Sequence, residues 1–353
     1  MKKLQIYKNL KVIVTGSTGF KGSWLCFWLS ALNAKVVGIA FRPEKGSVIF
    51  KKLKLDKKIR QIYLDINNFK KLNEVIKREK PDIVFHLAAQ SIVSFSYIQP
   101  LTTMITNVIG STNILESVRL NKIKNLVYIT SDKCYLNDNR KTAYFESDVL
   151  GGEDPYSASK ACAELAFQTY DKSFFNKKGK LNYATTRAGN VIGGGDMKKN
   201  RIVPDVIKSI QNKNKLIIRN PNATRPWQHV LEPLSGYLTL GCLLIDKKLP
   251  ISLQPHWNFG PNNSNSKRVI QVARKIISLW GIDKKIIISK KNEFKESKLL
   301  MLSNRKAKKE LNWHPRLNFE ETIKLTVDWY KSFFLNRNLE VTTTEQIEYY
   351  SNK

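Results

Sequence analysis

The chain has 353 residues, 42% of them apolar, four cysteines and a formal net charge of +31. That length suffices for one large α/β domain and a smaller one around a sizeable core, and the apolar share is that of an ordinary globular protein. No run is apolar enough to cross a membrane, and Cys26, Cys134, Cys162 and Cys242 form neither a CxxC pair nor metal-ligand spacing, so reduced thiols in a cytoplasmic protein without metal are expected.

The 60 Lys and Arg against 29 Asp and Glu would suit an anionic partner. The lysines are scattered, however, and no basic motif interleaves with aromatics. The charge therefore reads as a solvated surface with a weak attraction for anions, not as a specific nucleic-acid site. The opening MKKLQIYKNLKVIVTG has basic residues but no apolar segment with a small-residue cleavage site, so no signal peptide is expected.

In chain order, Lys11–Gly16 (KVIVTG) is an apolar run ending in glycine, predicted as a buried strand. Phe20–Ala31 is predicted as a helix, with Trp24, Leu25, Trp28 and Leu29 on one core-facing side. Lys35–Phe41 and Gln61–Asp65 read as the next strands, Phe69–Lys80 as a polar helix, and Pro81–Ala89 as a fourth strand after a proline break. A long helix over Thr102–Leu120, the strand Asn125–Ser131 and a further helix–strand unit over Pro155–Arg187 continue the alternation. Such alternation implies right-handed crossovers and an α/β fold: a doubly wound parallel sheet, Rossmann-like. After Arg187 the rhythm changes to a glycine-rich turn, a helix over Arg201–Ile210, a short strand Leu216–Arg219 and mixed α/β ending near Phe334. The expected organisation is a dinucleotide-binding domain over residues 1–187, completed by later returning segments. A smaller C-terminal mixed α/β substrate domain follows over 188–335, then a polar tail, 336–353, read as peripheral or frayed.

Three constellations carry chemistry. Gly16-Ser-Thr-Gly19-Phe-Lys-Gly22 sits between a strand and a helix, where a tight turn brings backbone N–H groups and a helix N-terminus to a pyrophosphate. The acidic residue that would bind the adenosine ribose about 20 positions on is missing. Arg42 stands there with Glu44 nearby. Arg42 can accept a 2′-phosphate, stack on adenine or face solvent; NAD is the expected cofactor, and NADP is not excluded. Asp65 and Ile66 are candidate adenine contacts. Ala88, Ala89 and Gln90, at the end of the fourth strand, would wall the cofactor, and His86 reads as a packed strand histidine.

Tyr156-Ser-Ala-Ser-Lys160 is the second, with Asp154 and Pro155 placed as N-cap and first-turn proline. Positions i and i+4 share a helix face. A lysine charge beside a phenol is expected to lower its pKa, which suits a base removing a hydroxyl proton as hydride leaves carbon. Lys160 also suits the nicotinamide ribose. The third is Thr130-Ser131-Asp132-Lys133 at a strand end, on the ligand-binding side of such a sheet. Ser131 can share a proton with Tyr156 and a substrate hydroxyl. Asp132-Lys133 is more than a simple dehydrogenase needs, or else an incidental charge pair on a surface turn.

Gly16–Gly22, His86–Gln90, Ser131 and Tyr156/Lys160 together resemble the extended short-chain dehydrogenase/reductase family over roughly residues 8–334. Within it, GSTGFKGSW, TSDKCY, AGNVIGGGD and RPWQHVLEPLSGY resemble the branch that dehydrates CDP-glucose. Sister dehydratases usually carry Asp-Glu where this chain has Asp132-Lys133, and epimerases lack the acidic residue. The resemblance implies that Tyr156, with Ser131, takes the C4 hydroxyl proton while hydride moves to NAD. Lys133 then removes the C5 proton, Asp132 protonates the departing C6 hydroxyl, and hydride returns to C6. The product is a 4-keto-6-deoxy sugar. A rival role for Lys133 is to stabilise the enolate as a cation. A base must be neutral, so burial and Lys160 would have to depress its pKa.

The resemblance also implies that Asn107 belongs to the cofactor site, and that Asn190, Arg201 and Arg225 face the nucleotide-sugar diphosphate, arginine suiting phosphate by its bidentate fork. Arg187 ends a core strand and reads as structural. Trp227, His229 and Glu232 are open between packing, loop anchoring and nucleotide contact. A homodimer through Thr102–Leu120 and the Tyr156 helix is expected by the same likeness. The alternatives are another nucleotide-sugar dehydratase or C4 epimerase on the same fold, or a non-catalytic dinucleotide sensor. A sensor would be expected to have a broken Tyr/Lys pair.

Overall fold

The computed structural model describes residues 2–43, 47–176, 181–289 and 299–353; Glu44 lies outside them. Most strands of the first half are buried on both faces, as parallel sheets require, the edge strand Arg60–Tyr63 being the exception. The strands are β1 (Lys11–Thr15), β2 (Lys35–Ala40), β3 (Arg60–Tyr63), β4 (Ile83–His86), β5 (Leu126–Ile129) and β6 (Tyr183–Ala188). A segment from the second half, β7 (His256–Phe259), returns to pair with β6. The spatial order is β7-β6-β5-β4-β1-β2-β3, with every neighbouring pair parallel. The order reverses between β1 and β4, and ligands of such sheets bind where that reversal opens a crevice.

The helices that cover the sheet or build the smaller part are α1 (Phe20–Ala31), α2 (Phe69–Glu79), α3 (Ser111–Leu120), α4 (Pro155–Ser173), α5 (Ile202–Gln211), α6 (Leu231–Ile245), α7 (Val269–Trp280), α8 (Phe319–Phe334) and α9 (Leu339–Asn352). Successive β1 side chains point to opposite faces. Val12 and Val14 therefore enter a large core with Trp24, Trp28, Leu234 and Trp257, while Ile13 enters a second core with Leu115, Tyr128 and Phe167. The helix-face tryptophans expected in the core are there. Three small pairs complete the second half: Val191–Ile192 with Gln228–His229, Thr224–Pro226 with Ser266–Arg268, and Leu216–Ile218 with Ile286–Ile288.

Several predicted strands end early. Gly16, Phe41, Asp65, Leu87–Ala89 and Ser131 fall beyond the last paired residue, which puts Gly16, Phe41, Ala88, Ala89 and Ser131 on the crevice wall. The single helix expected over Thr102–Leu120 is instead a short α-helical piece, Pro100–Met104, a wider π-helical turn, Ile105–Gly110, and then α3. That turn holds Asn107, whose side chain is committed to three partners. It also holds Gly110, where a Cβ would stand 2.7 Å from Asn67 and 2.8 Å from Ile66. The tail is not frayed. Leu339, Thr343, Gln346, Ile347 and Tyr350 are the buried face of α9. Arg316 Nη1 donates to the Tyr350 carbonyl, and Tyr350 Oη donates to Glu232 Oε2 at 2.7 Å.

Candidate active site

The turn after β1 is built for a close ligand. Gly16 has φ +72°, and a Cβ there would meet the Ala88 nitrogen at 2.9 Å. A Cβ on Gly22 would stand 2.0 Å from the Gly16 carbonyl oxygen. Gly19 is the N-cap of α1 and supplies no side-chain cap. The first helical N–H groups thus face the crevice uncapped, a fit for a pyrophosphate. Thr18, Phe20, Lys21, Arg42, Ile66, Ala88, Ala89 and Gln90 line the same cleft, which encloses about 800 Å³. The Arg42 guanidinium lies over the Tyr63 ring, 4.7 Å from its centroid. Asp65 and Asn107 stand behind this wall rather than on it. Asp65 Oδ1 accepts from Asn67 N at 2.9 Å and so closes a turn. Asn107 accepts from Gln90 N at 2.8 Å and donates to Gln90 O at 3.0 Å and Ser159 Oγ at 2.9 Å, locking the loop after β4 to α4. His86 is buried between Thr15 and Ser111, and burial pushes its pKa down to about 3.

The second and third constellations meet at the far end of the cleft. Asp154 Oδ1 accepts from Ser157 N at 2.9 Å and fixes the start of α4, which carries Tyr156 and Lys160. Both are buried, with Lys160 Nζ 5.9 Å from the Tyr156 ring centroid. The expected lowering of the Tyr156 pKa is not what the protein does. Burial dominates and pushes it up to about 12, with the hydrogen bond between Tyr156 and Ser131 as the largest opposing influence. Burial also brings Lys160 down to about 8, so its charge is itself weakened.

Ser131 caps the short turn that follows β5, and its Oγ donates to Asp132 Oδ1 at 2.9 Å. Asp132 is buried, and its Oδ2 has no hydrogen-bond partner. Burial raises its pKa above the usual carboxylate value, against Lys133, Ser131 and Arg225. The result is a protonated carboxyl more persistent than an exposed one. Lys133 is half-buried on the cleft wall.

Asn190, Arg201 and Arg225 line the cleft beside these groups. Arg201 Nη1 donates to Asp196 Oδ2 at 2.8 Å, and Arg225 Nη1 to the Thr224 carbonyl at 3.0 Å. Trp227 also lines the cleft while donating to the Lys267 carbonyl. His229 packs edge-on against Trp24, and Glu232 accepts from Arg316 N, Leu317 N and Tyr350 Oη, so both serve packing and anchoring. Arg187 is structural, fully buried against Glu164. Sequence reasoning missed two side chains here: Asp196, which orients Arg201, and Tyr237, which holds Lys21 at 2.8 Å. Asp196 ends the glycine string already singled out; Tyr237 is 216 residues from Lys21, and no spacing signals the contact. Among the described residues, no group of three or more His, Cys, Asp or Glu side chains is arranged to hold a metal ion, and no helix is long and apolar enough to cross a membrane.

Residues 13–326 match the family model described as GDP-mannose 4,6 dehydratase. A CDP-glucose 4,6-dehydratase of Salmonella typhimurium is 41% identical over 349 residues, covering 98% of this chain and 97% of that one. Among solved structures, a dTDP-glucose 4,6-dehydratase of Bacillus anthracis in complex with NAD superimposes with a TM-score of 0.74 at 24% identity, over 92% of this chain and 97% of its own. A UDP-glucuronic acid 4-epimerase of Bacillus cereus, in complex with UDP-glucuronic acid and NAD, gives 0.78 at 22% identity, over 92% and 100%. At these identities the two structures establish the shared fold.

Proposed function

The chain belongs to the GDP-mannose 4,6 dehydratase family, and from that premise we propose that it converts CDP-glucose to CDP-4-keto-6-deoxyglucose and water with a bound NAD. The observation that carries this reading is Asp132. It is a buried carboxyl with a raised pKa and an unpartnered oxygen, beside the Ser131–Tyr156 pair. A C4 epimerase has no use for an acid there; an elimination does.

The turn Gly16–Gly22, with Thr18, Ile66, Ala88, Ala89 and Gln90, would hold the dinucleotide. Bound there, NAD supplies a hydride acceptor that is also a donor, so no net oxidation is required. Tyr156, as the phenolate that the positive charge of a bound NAD would favour against burial, takes the proton of the sugar C4 hydroxyl, with Ser131 as its hydrogen-bond partner and Lys160 behind it. The C4 ketone so formed acidifies the C5 proton, which Lys133 receives. Asp132 gives its proton to the departing C6 hydroxyl, and water leaves. Arg201 and Arg225 hold the diphosphate and Asn190 assists, from the part of the chain after residue 187. NAD is preferred to NADP in this reading because Arg42 is engaged with the Tyr63 ring.

A homodimer belongs to the proposal. Leu101, Ile105 and Ile109 are exposed on the helical run before α3, and Leu165 is exposed on α4. Such a stripe on two adjacent elements suits burial against its own copy. A cytoplasmic location is proposed on the free thiols, three of them buried. The test of the whole reading is incubation with NAD and CDP-, dTDP-, GDP- or UDP-glucose. A 4-keto-6-deoxy product from the CDP sugar supports it; a changed stereocentre with no loss of water overturns it.

A further inference from the structure

Lys21 is the second residue of α1, inside the glycine turn. Its backbone belongs to that turn, but its side chain leaves it. Nζ donates to Tyr237 Oη at 2.8 Å and lies 5.0 Å from the ring centroid. Tyr237 comes from α6 and is fully buried. Lys21 lines the same cleft as Asp132, Lys160 and Arg201.

Fold stability does not explain a lysine in this place. Lys21 is only partly buried, but its ammonium still gives up some hydration that a single neutral phenol only partly restores. Among the described residues Lys21 forms no ion pair. A methionine would fill similar volume without that cost. The local field is also unusual for a structural lysine. Burial, then the charge of Lys160, brings its pKa down to about 7, while Asp132 works in the opposite direction.

We propose that Lys21, aimed by Tyr237, is a positioning residue for the elimination: its ammonium stabilises the carboxylate that Asp132 becomes when it protonates the departing C6 hydroxyl. The inference rests on the reading of Asp132 as the acid. In that step Lys133 takes the C5 proton, and the C5–H electron pair becomes the C5=C6 bond. The C6–O bond breaks, and the Asp132 proton leaves with that oxygen as water. One neutral carboxyl, itself buried, becomes one anion. The groups around Asp132 are Ser131, Lys133 and Cys134 from its own turn, Tyr156 from α4, Arg225 from the strand Thr224–Pro226, Tyr237 from α6 and Lys21 from α1. Of the cations in this set, Arg225 is given to the diphosphate and Lys133 to the C5 proton, which leaves Lys21 for Asp132.

The test is the titration of the Asp132 carboxyl, followed by carbon NMR in full-length protein labelled at aspartate and free of substrate. Asp132→Asn identifies the resonance. Lys21→Met is expected to raise the Asp132 pKa by about one unit and Lys21→Arg to restore it. In turnover, Lys21→Met is expected to lower kcat roughly tenfold with KM little changed, which corresponds to about 1.4 kcal/mol of barrier. Tyr237→Phe removes the hydrogen bond but keeps the ring, and is expected to move both readouts in the same direction by less. It also serves if Lys21→Met does not fold. An unchanged Asp132 titration in a folded variant, with only thermal stability reduced, overturns the proposal. If the wild-type protein forms no dehydrated product, the reading of the reaction fails instead, and the titration still decides whether Lys21 acts on Asp132.

Discussion

Arg187 Nη2 donates to Glu164 Oε2 at 2.8 Å, and both side chains are fully withdrawn from solvent. Glu164 lies two turns after Tyr156 on α4, and Arg187 on β6. Thr130, immediately before Ser131, also donates to Glu164, and Arg187 donates to Tyr135 Oη at 2.6 Å. One ion pair thus ties together the helix carrying Tyr156 and Lys160, the strand end carrying Ser131 and Asp132, and the sheet.

Removing one partner leaves the other charge buried and unpaired. Arg187→Met is therefore expected to cost about 3–5 kcal/mol of stability, measured by denaturant unfolding. Glu164→Gln should also flatten the acid limb of stability. Burial raises the Glu164 pKa, but Arg187 outweighs it and holds the carboxylate down to about 2. Its contribution is present above the unfolded value of about 4.3 and is lost as pH falls towards 2. Wild-type protein should lose stability over that window faster than the Gln variant. Equal slopes would remove Glu164 from the account.

At the other end of the cleft, Gly22→Ala places a Cβ 2.0 Å from the Gly16 carbonyl oxygen, a clash with backbone that cannot swing aside. NADH affinity is expected to fall roughly tenfold or more, equivalent to at least about 1.4 kcal/mol, while the far sheet edge stays folded. In the same titration wild-type protein should bind NADH more tightly than NADPH, since Arg42 rests on Tyr63. The reverse order would show that Arg42 leaves the ring to take a 2′-phosphate.

Lys133→Met separates oxidation from elimination. C4 oxidation should persist in this variant, seen as bound reduced dinucleotide, while exchange of the C5 hydrogen with deuterated solvent disappears. Dehydration should fall by about 10²–10⁴-fold. Normal turnover would end the assignment of Lys133, and loss of oxidation with retained C5 exchange would reverse the order of steps.

The dimer is tested by Leu101→Glu with Ile109→Glu, which puts charge on the exposed stripe. Light scattering after size exclusion should show wild-type protein at twice the chain mass and the double variant at one. A wild-type monomer at micromolar concentration would refute this interface.

The alternation of the first half was legible because β1, β2, β4 and β5 are apolar runs between helical segments. The chemistry was legible where it is local: Gly16–Gly22 as a turn, Tyr156 and Lys160 as one helix face, Asp132-Lys133 as a dipeptide. What stayed hidden depends on partners far along the chain. The π-helical turn at Ile105–Gly110 accompanies the bonds of Asn107 to Gln90 and Ser159, which no local periodicity encodes. The final helix looked like a loose tail because Thr343 and Gln346 interrupt its buried face of Leu339, Ile347 and Tyr350. Spacing could place Lys160 beside Tyr156 but could not reveal that desolvation outweighs its charge and leaves the phenol near 12. The Lys21–Tyr237 bond joins two strings that each looked complete alone.

The central claim is that Tyr156 opens a redox cycle whose purpose is elimination. CDP-glucose carrying deuterium at C4, turned over by the wild-type protein with unlabelled NAD in ordinary water, tests it most directly. The expected product is CDP-4-keto-6-deoxyglucose with the label at C6, moved within the same sugar. Label retained at C4 of an epimerised sugar, or released into the free dinucleotide pool, would contradict it.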